Sequence, residues 1–265
     1  MTDSEESDSP RFVPPTPTAA ADVFQTRVRL AEEFVAILAD TGISHGLIGP
    51  REAPRLWERH VLNCGLIRHA IPVTAEGQRV IDVGSGAGLP GIVLAIARPD
   101  LELHLVEPLS RRTGWLSGVV AQLDLENVVI HTARAESLWD RLSAPFVTAR
   151  AVSGILQLAQ WSLPLLEPRG SLLALKGSRA EAELSENRAA LARLGVIDSA
   201  VDVYGEGLVD DPTIVLRVTI GDSIDRRRFR GQPPTSAGSA RRRSDRPKVG
   251  RRSGSSSRDR GRRTR

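Results

Sequence analysis

From Arg79 to Gly177 the chain alternates short apolar runs with longer stretches of helical spacing, and few folds accommodate that alternation. The runs are "RVIDVG" (79–84), "ELHLVE" (102–107), "NVVIHTA" (127–133), "PFVTARAV" (145–152) and "SLLALKG" (171–177). Between them lie "GLPGIVLAIAR" (88–98), "SRRTGWLSGVVAQLDL" (110–125), "ESLWDRL" (136–142) and "GILQLAQWSLPLL" (154–166), each predicted helical. Short, largely apolar strands separated by helices predict an α/β fold with a mostly parallel sheet covered on both faces. A polar helix is expected over 179–195. After it, "AVDVYGEG" (200–207) and "TIVLRVTI" (213–220) have no helix between them. They predict an antiparallel hairpin at one sheet edge.

Upstream, "TRVRLAEEFVAILADTGI" (26–43) and "REAPRLWERHVLNCGLIRHAI" (51–71) predict two helices, a helical cap over 23–75. Residues 1–22 are expected to be disordered, with Pro10, Pro14, Pro15 and Pro17 opposing any helix. The folded domain then spans 23–220. From Gly221 onward there are 15 Arg and one Lys against four Asp, a net +12, so the first 220 residues carry −8 of the chain's +4. A segment so charged and so poor in apolar residues cannot bury enough surface to fold alone, and 221–265 is expected to be a disordered arm for RNA phosphates. A single cysteine, Cys64, excludes an internal disulfide and fits a reducing, cytoplasmic setting. The acidic start from Met1 to Asp8 does not resemble a secretory signal, and no apolar run approaches the ~20 residues of a membrane helix.

The turn after the first strand, "VIDVGSGAGLPGIVLA" (80–95), carries the chemistry. Gly84, Gly86 and Gly88 let the backbone curl and approach a ligand, at the carboxyl end of the first strand where doubly wound sheets bind one. The helix expected to begin near Leu89 would offer unpaired N–H groups to an anionic group. A phosphate loop is excluded, because no Gly-Lys-Ser/Thr follows. The spacing Gly86-x-Gly88-x-x-Gly91, with Glu107 ending the next strand, also matches a dinucleotide fingerprint. Asp82 favours a different ligand. A carboxylate there opposes a pyrophosphate but suits a sulfonium and an ammonium, as in S-adenosyl-L-methionine. Glu107 would accept the two ribose hydroxyls.

At this point the sequence resembles a family. "DVGSGAGLPG" (82–91), "LWERHVLNC" (56–64), "VEPLSRRTGWL" (106–116), "ARAESL" (133–138), "ARAV" (149–152) and "ALKG" (174–177) occur in the order found in RsmG, the glucose-inhibited division protein B family. These are bacterial 16S ribosomal RNA guanine-N7 methyltransferases. The resemblance covers about 29–220 and departs at Asn63-Cys64, where an Asp-Ser pair is expected. It implies a Rossmann-like class I S-adenosylmethionine-dependent methyltransferase acting on N7 of a guanine in small-subunit ribosomal RNA, free or in the subunit. It also implies that Gly84 and Leu89 line the donor loop, that Ala135 and Glu136 border the adenine, and that Arg150 sits beside the methionine moiety or the guanine.

Guanine N7 has an in-plane lone pair and no proton to lose, so no catalytic acid or base is expected, and no metal. His60 is read as a structural hydrogen-bonding partner, and the four tryptophans as core. Arg59, Arg111 and Arg112 are candidates for the pocket mouth, and Lys176 for RNA contact or a strand end. The expected state is a monomer. The two rivals are an NAD-linked oxidoreductase and a non-catalytic RNA-binding module on the same fold.

Overall fold

The computed structural model describes residues 12–73, 77–150 and 152–229. Its centre is one seven-stranded sheet in the order β3-β2-β1-β4-β5-β7-β6. The strands are β1 Gln78–Val83, β2 Leu101–Glu107, β3 Val128–Thr132, β4 Ala144–Arg150, β5 Leu166–Lys176, β6 Val196–Tyr204 and β7 Thr213–Ile220. The pairs β1–β2, β2–β3, β1–β4 and β4–β5 are parallel, whereas β5–β7 and β6–β7 are antiparallel. The expected edge hairpin is therefore present, with β7 inserted between β5 and β6. From β1 the chain runs outward to β2 and β3, then crosses back to β4 on β1's other side. That reversal opens a crevice at the carboxyl ends of β1 and β4, where open α/β sheets bind ligands.

Alternation along β1 sends Val80 into one apolar layer and Ile81 and Val83 into the other. The first layer holds the cap helices α1 Ala19–Phe24 and α2 Val28–Ile37, together with α4 Gly91–Ala97 and α5 Ser110–Gln122. Every residue of α4 is buried, because the cap covers the side turned away from the sheet. The short α3 Asn63–Gly65 presses so closely on α1 that a Cβ at Gly65 would stand 2.6 Å from Val23 Cγ1. The second layer holds α6 Ile155–Ser162 and α7 Ala180–Arg193.

Several expected helices are shorter or of another kind. The 51–71 segment is a chain of turns: 3-10 over Pro50–Arg55, a wide π turn over Leu56–Leu62, α3, and 3-10 over Leu66–Ala70. Pro54 lacks an N–H and stands inside the first of these, which denies the segment a regular start. The 136–142 helix reduces to a 3-10 turn, Ala135–Leu138. Pro164 ends α6 in a 3-10 turn, and β5 begins at Leu166, five residues before the expected strand.

The domain edges also move outward. Pro14, Ala19 and Ala20 are buried, so ordered packing begins well before residue 23. At the other end Phe229 is buried edge-on against Trp139 at 6.3 Å, and Arg228 Nη1 donates to the Arg193 carbonyl at 2.7 Å. Residues 221–229 thus belong to the body rather than to a disordered arm. The disorder expected of residues 1–11 and of 230–265, which carry most of the basic tail, lies outside the described residues. No helix among the described residues is long and apolar enough to cross a membrane.

Candidate functional site

The glycine turn connects β1 to α4 with positive φ at Gly84 (+76°), Gly86 (+53°) and Gly88 (+78°). These glycines serve different needs. A Cβ at Gly84 would lie 2.9 Å from Val152 Cγ2, and one at Gly88 2.5 Å from Ile92 Cγ1, so both positions are glycine for packing. At Gly86 a Cβ would meet nothing closer than the Gly84 carbonyl at 3.8 Å. That is a bare, open face of backbone, suited to close approach by a ligand.

Two carboxylates hold this loop in shape. Glu107, at the end of β2 and almost wholly buried, accepts from the Gly86 N–H at 3.2 Å through Oε2 and from the Leu109 N–H at 3.0 Å through Oε1. The Arg112 guanidinium lies 3.4 Å from Oε2 and is partly exposed. Asp82 has no exposed surface, and its Oδ2 accepts from the Gly91 N–H at 3.1 Å. A Cβ at Gly91 would overlap Leu105 Cδ2 and stand 2.7 Å from Asp82 Oδ2, so only glycine brings that N–H to the carboxylate. Asp82 Oδ1 is buried with no hydrogen-bond partner among the described residues. Burial pushes the Asp82 carboxyl up to about 7, with the Glu107 carboxylate adding to the rise and the Gly91 N–H opposing it.

These contacts correct two expectations. Asp82 does not point into open space toward a ligand; it is sealed and fixes the start of α4. That helix begins at Gly91 rather than near Leu89, and its first amide is taken by Asp82 instead of being offered to a ligand. Leu89 is buried behind the turn. Ala135 and Glu136 open the 3-10 turn after β3, and the Ala133 N–H donates to the Glu107 carbonyl at 3.3 Å, which brings that corner beside the end of β2.

Across the crevice, the carboxyl ends of β4 and β5 border a cleft of about 530 Å³. Arg55, Arg59, Arg150, Lys176 and Asp211 supply its charged lining, with Asn63 and Ser153 beside them. Val152, which packs on Gly84, lines it too, so loop and cleft adjoin. Arg150 pairs with neither Asp82 nor Glu107. Its Nη1 donates to Cys64 Sγ at 3.3 Å; its Nη2 donates to the Arg59 carbonyl at 3.2 Å and to His60 Nδ1 at 2.6 Å. A guanidinium can only donate, so Nδ1 must be the acceptor, and the ring proton sits on Nε2, donating to Glu52 Oε2 at 3.0 Å. Burial, with the Arg150 charge beside it, pushes His60 down to about 4 and keeps the ring neutral. Lys176 Nζ donates to the Ser153 carbonyl and to Glu183 Oε1, both at 2.9 Å.

A family model described as GidB, rRNA small subunit methyltransferase G, matches residues 27–212. The chain belongs to that family. Three curated relatives carry the same description, Ribosomal RNA small subunit methyltransferase G. The one from Streptomyces avermitilis is 46% identical over 86% of this chain and 95% of its own length. The one from Thermobifida fusca is 51% identical over 78% of this chain and 86% of its own. The one from Nocardioides sp. is 47% identical over 88% and 95%.

Within this methyltransferase, the residues singled out by sequence fall into two groups. Gly84, Gly86, Gly88, Glu107, Ala135 and Glu136 gather at the ends of β1, β2 and β3. Arg150 stands with Arg59 and Lys176 on the far side, in the cleft. Arg112 lies on Glu107 and Arg111 is exposed on α5; neither lines the cleft. Trp57, Trp115 and Trp139 are buried in the core, and Trp161 is half-buried. Glu52, Arg55 and Asp211 escaped the sequence reading. Asp211 follows Asp210 in a loop with no helical or strand periodicity, and no signal distinguished it.

Proposed function

We propose that this protein transfers a methyl group from S-adenosyl-L-methionine to N7 of a guanine in small-subunit ribosomal RNA. The observation that carries the reading is the open backbone at Gly86 set beside the buried Glu107 carboxylate, in a chain of the rRNA small subunit methyltransferase G family. The donor supplies an electrophilic methyl on a sulfonium. The chain's own residues hold it: Gly84 and Gly86 offer backbone, Leu89 backs the turn, and Ala135 and Glu136 border the adenine. Glu107, oriented by two backbone N–H groups, would take the ribose hydroxyls. Asp82 acts through the loop, by fixing Gly91.

N7 needs no general base, and the side chains near the cleft fit that demand. His60 is neutral with both ring nitrogens engaged, and Lys176 is paired with Glu183. Rate enhancement then comes from alignment of N7 with the methyl, for which a fixed Arg150 and a shaped cleft suffice. The protein works as a monomer in the cytoplasm, and its basic tail raises the encounter rate with RNA without adding base specificity. The test is incubation of the full chain with methyl-labelled donor and small-subunit particles or their RNA, followed by nucleoside analysis. Label in 7-methylguanosine is expected; label in any other nucleoside overturns the assignment of the base.

A further inference from the structure

The cleft contains one carboxylate among its described lining residues, Asp211, facing a wall of Arg55, Arg59, Arg150 and Lys176. Three of those cations are already engaged: Arg59 with Glu52, Arg150 with the His60 side, and Lys176 with Glu183. Asp211 is exposed and has no hydrogen bond or ion pair among the described residues. The Asn63 side-chain amide is likewise uncommitted; only its backbone carbonyl is used, accepting from Thr213 Oγ1 at 2.7 Å. An acceptor that serves nothing in the fold therefore stands alone in an otherwise cationic cleft.

A guanine methylated at N7 cannot be gripped by the edge that carries N7. It must be held by the opposite, Watson–Crick edge, as enzymes acting on extruded bases hold theirs. On guanine that edge presents N1–H and the 2-amino group, two parallel donors, which a single carboxylate accepts together. Adenine offers a lone pair at N1 instead and would be repelled. A cleft of this volume is large enough for a nucleotide.

We infer that Asp211 is the residue that selects guanine, its carboxylate accepting from N1–H and the 2-amino group, while Arg55 takes a flanking phosphate. The inference rests on the N7 reading above and assigns its base recognition to a residue outside every motif. Arg55 then positions and Asp211 specifies, a division of labour common in nucleic-acid recognition.

The test uses the full chain and small-subunit RNA in which the methylated position, once mapped, carries either guanosine or inosine. Inosine lacks only the 2-amino group. The wild-type protein should methylate the inosine RNA with kcat/KM lowered about tenfold, the discrimination expected for loss of one buried hydrogen bond to the base. Asp211→Ala should be slow on both and treat them alike, with donor affinity by titration unchanged as the check on folding. Asp211→Asn, which keeps one acceptor, should fall between. Arg55→Ala should raise KM equally for both RNAs. Asp211→Ala that still prefers guanosine tenfold would overturn the assignment while leaving the N7 reading intact. Wild-type protein that forms no 7-methylguanosine would overturn both.

Discussion

The two sides of the crevice are built in opposite ways. On the side of the glycine turn, at the ends of β1, β2 and β3, the surface is backbone, and the two carboxylates that shape it are buried and accept from backbone N–H groups. On the cleft side, at the ends of β4 and β5, the surface is side chains contributed by segments as distant as Arg55, Arg150 and Asp211. A backbone surface tolerates almost no change, because each glycine answers a steric or conformational need. A side-chain surface can be altered one group at a time, which suits the half of an enzyme that must match a particular substrate.

The same contrast explains what was legible in the sequence. Periodicity sufficed for the strands, the parallel sheet and the edge hairpin, since burial on both faces leaves a run-length signature. The glycine turn was legible because φ near +53° to +78° is a requirement that few other residues meet. Asp82 was located but misread. Its charge suggested a ligand contact, whereas its burial against Gly91 depends on the packing of α4 between sheet and cap, which no local pattern reveals. The cleft was legible in part: Arg59, Arg150 and Lys176 were singled out, whereas Arg55 and Asp211 were not, because their segments meet only through tertiary structure. The broken helices over 50–70 show the same limit: helical spacing was present, but Pro54 and the close approach of α3 to α1 imposed other turns.

The asymmetry gives a graded set of expected outcomes. The largest is at Gly91. Gly91→Ala forces a methyl into Leu105 and Asp82 and should cost about 3 kcal/mol of stability, read as a shifted urea midpoint with unchanged slope. An unshifted midpoint would mean that the turn is less tightly packed than described.

Next is Asp82→Asn, which keeps an acceptor for the Gly91 N–H and removes the buried charge. With the folded carboxyl raised to about 7 and the unfolded one near 3.8, the native state holds the proton in that interval and the unfolded state does not. Wild-type stability from this group is therefore lost as pH rises from about 4 to about 7. The variant should gain on the wild type across that range in denaturation at successive pH values; a pH-independent difference would show that Asp82 does not titrate there.

On the cleft side, effects should appear in RNA kinetics rather than in stability. His60→Ala removes the acceptor for Arg150 Nη2 and should raise KM for RNA roughly tenfold, the scale of one charge-assisted hydrogen bond, with donor affinity retained. His60→Asn, which restores an acceptor near Nδ1, should recover most of that loss. Equal defects in both variants would reduce His60 to packing.

The smallest effect concerns the tail. Truncation after residue 221 removes the Phe229–Trp139 contact and should cost about 1 kcal/mol beyond the area lost, whereas truncation after 231 should leave the melting temperature alone and flatten only the salt dependence of RNA binding. Equal melting temperatures for the two truncations would place the domain edge back at 221.

The most direct measurement is titration of S-adenosyl-L-methionine into wild-type protein and Gly86→Leu. A Cβ at Gly86 meets nothing closer than the Gly84 carbonyl at 3.8 Å, so the substitution is expected to cost about 1–2 kcal/mol of backbone strain. It would, however, fill the one bare stretch of the turn. Donor affinity lower by about two orders of magnitude, in a variant that still unfolds cooperatively, is the expected result. Wild-type affinity in the variant would contradict a donor site built on that backbone.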